Sequence, residues 1–103
     1  MKPSELIRKY GWAQGAMVRL ADGRAASVPF SKILEEEQKK GVQIIGFCIR
    51  GAIEYAYEGT MVGVRSKVLD KVFDKVKMTS FRWNDRHCQS KEEAIALLES
   101  IGE

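Results

Sequence analysis

Two segments of the sequence combine a tryptophan with side chains that make directional hydrogen bonds. Trp12 is followed two positions later by Gln14, and Trp83 is followed directly by Asn84 and Asp85. A tryptophan supplies a large apolar wall and one N–H donor, while amide and carboxylate groups supply oriented polar contacts. If the two segments converge, these five side chains predict a small-ligand pocket with tryptophan walls.

A structural interpretation of the same segments competes with the pocket, and the sequence favours it. Asparagine and aspartate close turns by bonding nearby backbone groups, and a tryptophan beside a turn anchors that turn by burying its ring. Both segments would then fasten loops onto the core. The sequence leaves open whether Trp12 and Trp83 meet in space.

His87 is the only histidine and lies between Arg86 and Cys88. A histidine can act as the base for a cysteine nucleophile, here Cys48 or Cys88. We interpret His87 as an exposed loop residue instead, because adjacent side chains diverge in an extended segment and Cys48 lies in an apolar stretch typical of inert core. The sequence has no phosphate-binding loop, dinucleotide fingerprint or HExxH motif. We therefore identify no catalytic residue.

Cationic side chains near Trp83 predict an alternative partner, a nucleic acid. Arg82, Arg86 and His87 flank the ring, and a phosphate backbone would follow these cations while Trp83 stacks on a base. The remaining cations of this surface are lysines, namely Lys67, Lys71, Lys75 and Lys77. Three aspartates interrupt the surface, namely Asp70, Asp74 and Asp85. A solvated, mixed-charge face is therefore the interpretation that the sequence favours.

The composition fits one domain that spans residues 1–103. Seventeen lysine and arginine residues are interleaved with 14 aspartate and glutamate residues, which leaves a net charge of +3. A dedicated nucleic-acid binder usually has a stronger and more clustered surplus. Two cysteines and one histidine are too few for the usual zinc ligand sets. We therefore expect no metal and no cofactor, and the incomplete catalytic sets favour a protein that is not an enzyme.

The sequence lacks the features of a membrane span and of a signal peptide. Its longest apolar stretch covers residues 44–49, whereas a span needs about 20 residues. The first residues, Met1 to Glu5, carry no apolar region. We therefore expect a cytoplasmic domain that does not bind membranes.

Hydrophobic spacing predicts an α+β, mainly α fold, with about five helices around a central apolar helix and one small β-hairpin. The predicted helices are Pro3–Tyr10, Pro29–Lys40, Gln43–Glu58, Val64–Lys77 and Lys91–Ser100. The hairpin pairs residues 16–20 with residues 24–28 across the turn signal Asp22-Gly23. Residues 43–58 form the central helix because their apolar side chains repeat at intervals of three and four.

The region before the last helix must position Trp83, Asn84 and Asp85. Residues 79–83 are predicted to be extended, and residues 84–89 are predicted to form a loop. Ser90 and Glu93 then make the capping-box signature of a helix start. The apolar face of the preceding helix, Val64 to Val76, is expected to belong to the core rather than to a dimer seam.

Three motifs in this order resemble an uncharacterised family of short bacterial and bacteriophage proteins. They are a G-W-x-Q-G-A segment at Gly11–Ala16, a C-x-x-G-A segment at Cys48–Ala52, and a W-N-D segment at Trp83–Asp85. The resemblance covers nearly the whole chain, and Ser31–Lys40 departs from it as a longer stretch of acids and bases. It implies a common fold and no activity. Through bacteriophage genomes it implies an accessory or anti-defence role.

The leading hypothesis from the sequence is a small non-enzymatic binding or regulatory domain that acts through protein contacts. One alternative is a nucleic-acid binder that uses the basic surface around Arg82, Trp83 and Arg86. The other is a small-ligand pocket between the Gly-Trp and Trp-Asn-Asp loops. The expected partner is a protein, and both a monomer and a homodimer stay open.

Overall fold

Short helices dominate the part of the chain that the structure describes. A computed structural model describes residues 1–26 and 39–103. In chain order its elements are α1 (Pro3–Tyr10), β1 (Val18–Leu20), β2 (Ala25–Ala26), β3 (Ile44–Phe47), α2 (Ile49–Ala56), α3 (Val62–Val76), α4 (Ser80–Arg86) and α5 (Lys91–Ser100). The predicted α+β, mainly α class is confirmed. Residues 27–38 lie outside the described residues, and with them most of the predicted helix Pro29–Lys40 and the end of the second predicted strand.

The three strands form an antiparallel sheet in the order β2-β1-β3. The predicted hairpin is confirmed within the described residues, with Val18 opposite Ala26 and Arg19 opposite Ala25. Gly23 has a φ of 91°, the left-handed conformation that glycine adopts without a Cβ penalty. Because the strands are so short, the sheet depends on the helices packed against it.

The prediction of one central helix from Gln43 to Glu58 is wrong in its first third. Residues Ile44–Phe47 are strand β3, which pairs with β1 and places Val18 opposite Phe47. Cys48 is extended and caps α2, with its Sγ accepting a hydrogen bond from the Gly51 N–H at 3.2 Å. A short apolar run fits a buried strand as well as a buried helix, so its periodicity did not distinguish them.

The region before the last helix is also different from its prediction. Residues 79–83 were expected to be extended and residues 84–89 to form a loop, yet Ser80–Arg86 is helix α4. Thr79 caps this helix by accepting a hydrogen bond from the Arg82 N–H at 3.3 Å. The following helix, α5, begins as predicted, because the Ser90 hydroxyl accepts the Glu93 N–H at 3.2 Å.

Helix α2 is central, and it packs against α1, α3 and α4. Ile49 and Ile53 on it are completely buried. Its buried Glu54 carboxylate is paired with Arg50 Nε at 3.1 Å and with Arg65 Nη1 at 3.0 Å. Pairing of this kind offsets the cost of taking a carboxylate out of water.

Helix α3 places only part of its predicted apolar face in the core. Val68 and Val72 are buried, whereas Val64 is 42% exposed and Phe73 is 50% exposed. The expectation that the whole face belongs to the core is therefore only partly right. None of the helices that the structure describes is long and apolar enough to cross a membrane.

Candidate functional site

The two tryptophan segments meet at the side chain of Asn84, which is completely buried. Its Oδ1 accepts the Trp12 indole N–H at 2.8 Å and the Ile49 backbone N–H at 3.0 Å. Its Nδ2 donates to the Ala13 carbonyl at 3.0 Å and to Asp85 Oδ1 at 2.9 Å. Both lone pairs and both N–H groups of the amide are thus used within the protein.

Gln14 and Asp85 extend this network towards the surface. Gln14 Nε2 donates to the carbonyls of Asn84 at 3.1 Å and Cys88 at 3.2 Å. Asp85 Oδ1 accepts the Gly15 N–H at 3.0 Å. The glutamine amide therefore binds carbonyl groups at the end of α4, where a helix lacks intrahelical donors.

The start of α2 joins the same network through a close backbone approach. The Cys48 N–H donates to the Met17 carbonyl at 3.1 Å. A Cβ atom on Gly51 would lie 1.9 Å from that carbonyl oxygen, so only glycine fits there. We call this set, Trp12, Gln14, Gly51, Asn84 and Asp85, the Asn84 junction. It links the segment before β1 to α2 and α4.

Trp83 belongs to a different surface from Trp12. It lines an open groove of about 490 Å³ together with Val76, Ala96 and Leu97, and Trp12 is not part of that lining. Trp83 is half-buried, and its indole N–H donates to no group among residues 1–26 and 39–103. Lys75 and Glu93 add charges to this groove. We call it the Trp83 groove.

Arg82 and Arg86 lie elsewhere on α4 and line a second pocket, of about 410 Å³, with Thr79, Phe81 and Asp85. We call it the arginine pocket. Sequence reasoning named both arginines but missed Phe81, because it assigned the stacking role to the neighbouring Trp83. The helical spacing of residues 81, 82, 85 and 86 would have grouped them, had residues 80–86 been recognised as a helix.

His87 and the two cysteines are not arranged as a catalytic pair. His87 is exposed just after α4, whereas Cys48 and Cys88 are buried. Burial raises the pKa of the Cys48 thiol to about 11, and burial also raises the pKa of Cys88. Both thiols are therefore protonated at neutral pH and are weak nucleophiles.

Within residues 1–26 and 39–103, no three histidine, cysteine, aspartate or glutamate side chains are grouped as metal ligands would be. Asp85 is the one acidic residue of the Asn84 junction.

The comparisons with known proteins give a family but no activity. A family model described as "Family of unknown function (DUF6197)" matches residues 3–102. No curated protein and no solved structure matches the chain.

Proposed function

The chain belongs to this family of unknown function, and we propose that it is a small non-enzymatic binding domain that acts through protein contacts. The observation that carries the proposal is the Trp83 groove. There a half-buried tryptophan, Val76, Ala96 and Leu97 surround an open volume of about 490 Å³ between α3, α4 and α5. Half-exposed tryptophans in apolar surroundings are typical anchors of protein interfaces.

The Asn84 junction supports this choice of surface. Its amide, indole and carboxylate groups bond to one another and to loop backbone, so its polar groups are already satisfied. A ligand there would have to break these bonds before making its own. The small-ligand pocket between the two tryptophan loops therefore becomes the weaker hypothesis. We further propose that the family shares the three motifs because together they form this junction.

The Trp83 groove suits an apolar side chain carried by a partner protein. The lining residues of α5 run from Glu93 to Ser100, which gives the groove the length of about two helical turns. Lys75 and Glu93 offer the partner one charge of each sign. This arrangement favours an amphipathic segment whose apolar residue covers Trp83.

The proposal keeps the cellular location that the sequence predicts. The partner is a cytoplasmic protein, and no membrane is involved. The resemblance to short bacterial and bacteriophage proteins supports an accessory or anti-defence role, in which the partner would be a host protein.

The experiment blocks the groove without disturbing the core. Ala96 is exposed and lines the groove, so Ala96→Glu adds a carboxylate beside Trp83. Ala21→Glu adds the same group at an exposed position of the hairpin turn and serves as the matched control. Tagged protein is captured from its native cell, and bound proteins are measured by quantitative mass spectrometry.

We expect Ala96→Glu to lose a partner that the wild-type protein and Ala21→Glu both retain. Both variants should unfold within about 0.5 kcal/mol of the wild type, since they lie on the surface. The proposal is wrong if Ala96→Glu captures the partner as well as Ala21→Glu does. It is also wrong if the wild-type protein captures nothing specific in its native cell.

A further inference from the structure

The arginine pocket lies on a different side of α4 from the Trp83 groove. Arg82 and Arg86 are four residues apart on this helix, so they lie one above the other on the same face. Thr79, Phe81 and Asp85 complete the lining of the pocket, which has a volume of about 410 Å³. Small-molecule sites have volumes of roughly 300–1,000 Å³, so the pocket is large enough for a small ligand.

Arg82 and Arg86 differ from the other arginines of the chain, whose guanidinium groups all have partners. These are Arg8 with Glu99, Arg19 with the Gly23 carbonyl, Arg24 with Asp22, and both Arg50 and Arg65 with Glu54. By contrast, the guanidinium groups of Arg82 and Arg86 have no hydrogen bond or ion pair with residues 1–26 or 39–103. Two such groups one turn apart present several N–H donors to a single anion.

Phe81 gives the same pocket an accessible aromatic ring. Phe81 is 38% exposed as a residue, and the Arg50 guanidinium carbon lies 5.4 Å from the ring centroid. Arg50 is itself held by Glu54, so the ring rests against a fixed cation. A planar ring held in this way is suited to stack on a nucleic-acid base or a free nucleobase.

Asp85 is the one negative side chain that lines the pocket. Its Oδ1 is occupied by the Gly15 N–H and by Asn84 Nδ2, which hold the carboxylate against the Asn84 junction. The lining carries two guanidinium groups and this single carboxylate, so the pocket keeps a positive charge. Guanidinium groups match the geometry of phosphate oxygens, and bidentate pairs of this kind are strong.

From these contacts we propose that the arginine pocket binds a nucleotide unit. Arg82 and Arg86 hold its phosphate, and Phe81 stacks on its base. This site goes beyond the protein-contact function, because it uses another face of α4. It also replaces the sequence-based expectation that Trp83 stacks on the base, since Trp83 lines the groove with α5 instead. The unit is either a free nucleotide or part of a single strand, which have the same chemistry.

Two reagents test the site with the full chain. Adenosine 5′-monophosphate is titrated into ¹⁵N-labelled protein while amide NMR signals are followed. A fluorescein-labelled strand of twelve deoxythymidines is titrated by anisotropy at several salt concentrations. We expect the monophosphate or the strand to shift the amide signals of residues 79–86. If the strand binds no more tightly than the monophosphate, the ligand is a free nucleotide, and if it binds much more tightly, the ligand is a strand. Both results support the site.

Variants test the phosphate contact and the base contact separately. Arg82→Gln with Arg86→Gln should weaken binding and, for the strand, lower the slope of log affinity against log salt by about 0.7, because both arginines hold the same phosphate and each phosphate contact to a single strand contributes about 0.7. Phe81→Leu should weaken binding about tenfold without changing that slope, since it removes stacking and no charge. The matched control is Lys2→Gln with Lys67→Gln, which removes the same charge from exposed positions outside the pocket.

Three results would overturn the proposal. In the first, neither reagent shifts the signals of residues 79–86 at millimolar concentration. In the second, inorganic phosphate shifts them as strongly as the monophosphate does, so the base is not recognised. In the third, the lysine control weakens binding as much as the arginine variant does. Binding would then depend on the overall charge of the protein and not on the arginine pocket. The NMR spectrum of each variant establishes that it is folded.

Discussion

At the scale of single residues, the buried side chain of Asn84 is the centre of the Asn84 junction. It is completely buried, and its amide makes four hydrogen bonds to groups from three separate parts of the chain. Without it, the Trp12 indole N–H, the Ile49 N–H and the Ala13 carbonyl would lose their partner. An unpaired buried polar group costs about 1–3 kcal/mol.

We therefore expect Asn84→Ala to lower the free energy of unfolding by about 3 kcal/mol or more, which is a large share of the stability of a small domain. The measurement is urea unfolding followed by circular dichroism. Gln43→Ala is the control, because Gln43 is exposed, and it should change the free energy by less than about 0.5 kcal/mol. If Asn84→Ala stays within 1 kcal/mol of the wild type, the Asn84 junction does not stabilise the fold.

Sequence reasoning named the side chains of this junction but not their pairing. Trp12, Gln14, Asn84 and Asp85 were recognised because tryptophans beside amide and acid groups are conspicuous. Their contacts join residues about 70 positions apart, as between Trp12 and Asn84. No local rule predicts such a pairing. Asn84 was also assigned to a loop, and its place inside α4 decides which way its amide faces.

At the scale of elements, the predictions that succeeded rest on local chemistry. Helix α5 was found from the cap formed by Ser90 and Glu93, and the hairpin was found from Asp22-Gly23. Strand β3 was missed because its conformation depends on pairing with β1, which is distant in sequence. Helix α4 was missed because seven residues are too few to show a helical period.

Helix α2 also depends on a contact that the sequence does not reveal. Gly51 lies in the first turn of α2, where a Cβ would meet the Met17 carbonyl oxygen at 1.9 Å. The Met17 oxygen belongs to the backbone and cannot rotate away as a side chain could. A Cβ on Gly51 would therefore displace either α2 or the segment before β1. The glycine of the C-x-x-G-A segment is thus explained by packing.

We expect Gly51→Ala to destabilise the protein by at least about 2 kcal/mol, because α2 and the segment before β1 must separate to admit the methyl group. Gly63→Ala in α3 is the matched control, since nothing lies within 4 Å of its Cβ position. That change should stabilise the protein by about 0.4–1 kcal/mol, as glycine to alanine does in an unstrained helix. Thermal unfolding measures both, and equal effects of the two variants would contradict the close approach.

At the scale of the whole molecule, Glu103 joins the two ends of the described chain. Its backbone carbonyl accepts the Ser4 N–H at 3.0 Å and the Ser4 hydroxyl at 2.9 Å. Its side chain accepts the Tyr57 hydroxyl, and it lies 3.8 Å from the Lys71 ammonium. Residues from α1, from the end of α2 and from α3 therefore meet at one residue, Glu103, which is 7% exposed.

The pH dependence of the free energy of unfolding tests the contact between Tyr57 and Glu103. The hydrogen bond to Glu103 and, secondarily, burial raise the pKa of Tyr57 to about 12, from an ordinary value of 10.0. Between these values the unfolded state loses a proton that the folded state retains. The stability that Tyr57 contributes is therefore fully present below about pH 10 and is lost as the pH rises towards 12.

We expect Tyr57→Phe to lower the free energy of unfolding by about 1–2 kcal/mol at pH 8, since a hydrogen bond to a carboxylate is lost. The difference between wild type and variant should then shrink steadily from pH 10 to pH 12. Both proteins retain Cys48 and Cys88, whose raised thiol pKa values affect each alike and cancel in the difference. Urea unfolding at a series of pH values measures it. A difference that stays constant up to pH 12 would mean that the Tyr57 hydroxyl does not donate a hydrogen bond to the Glu103 carboxylate.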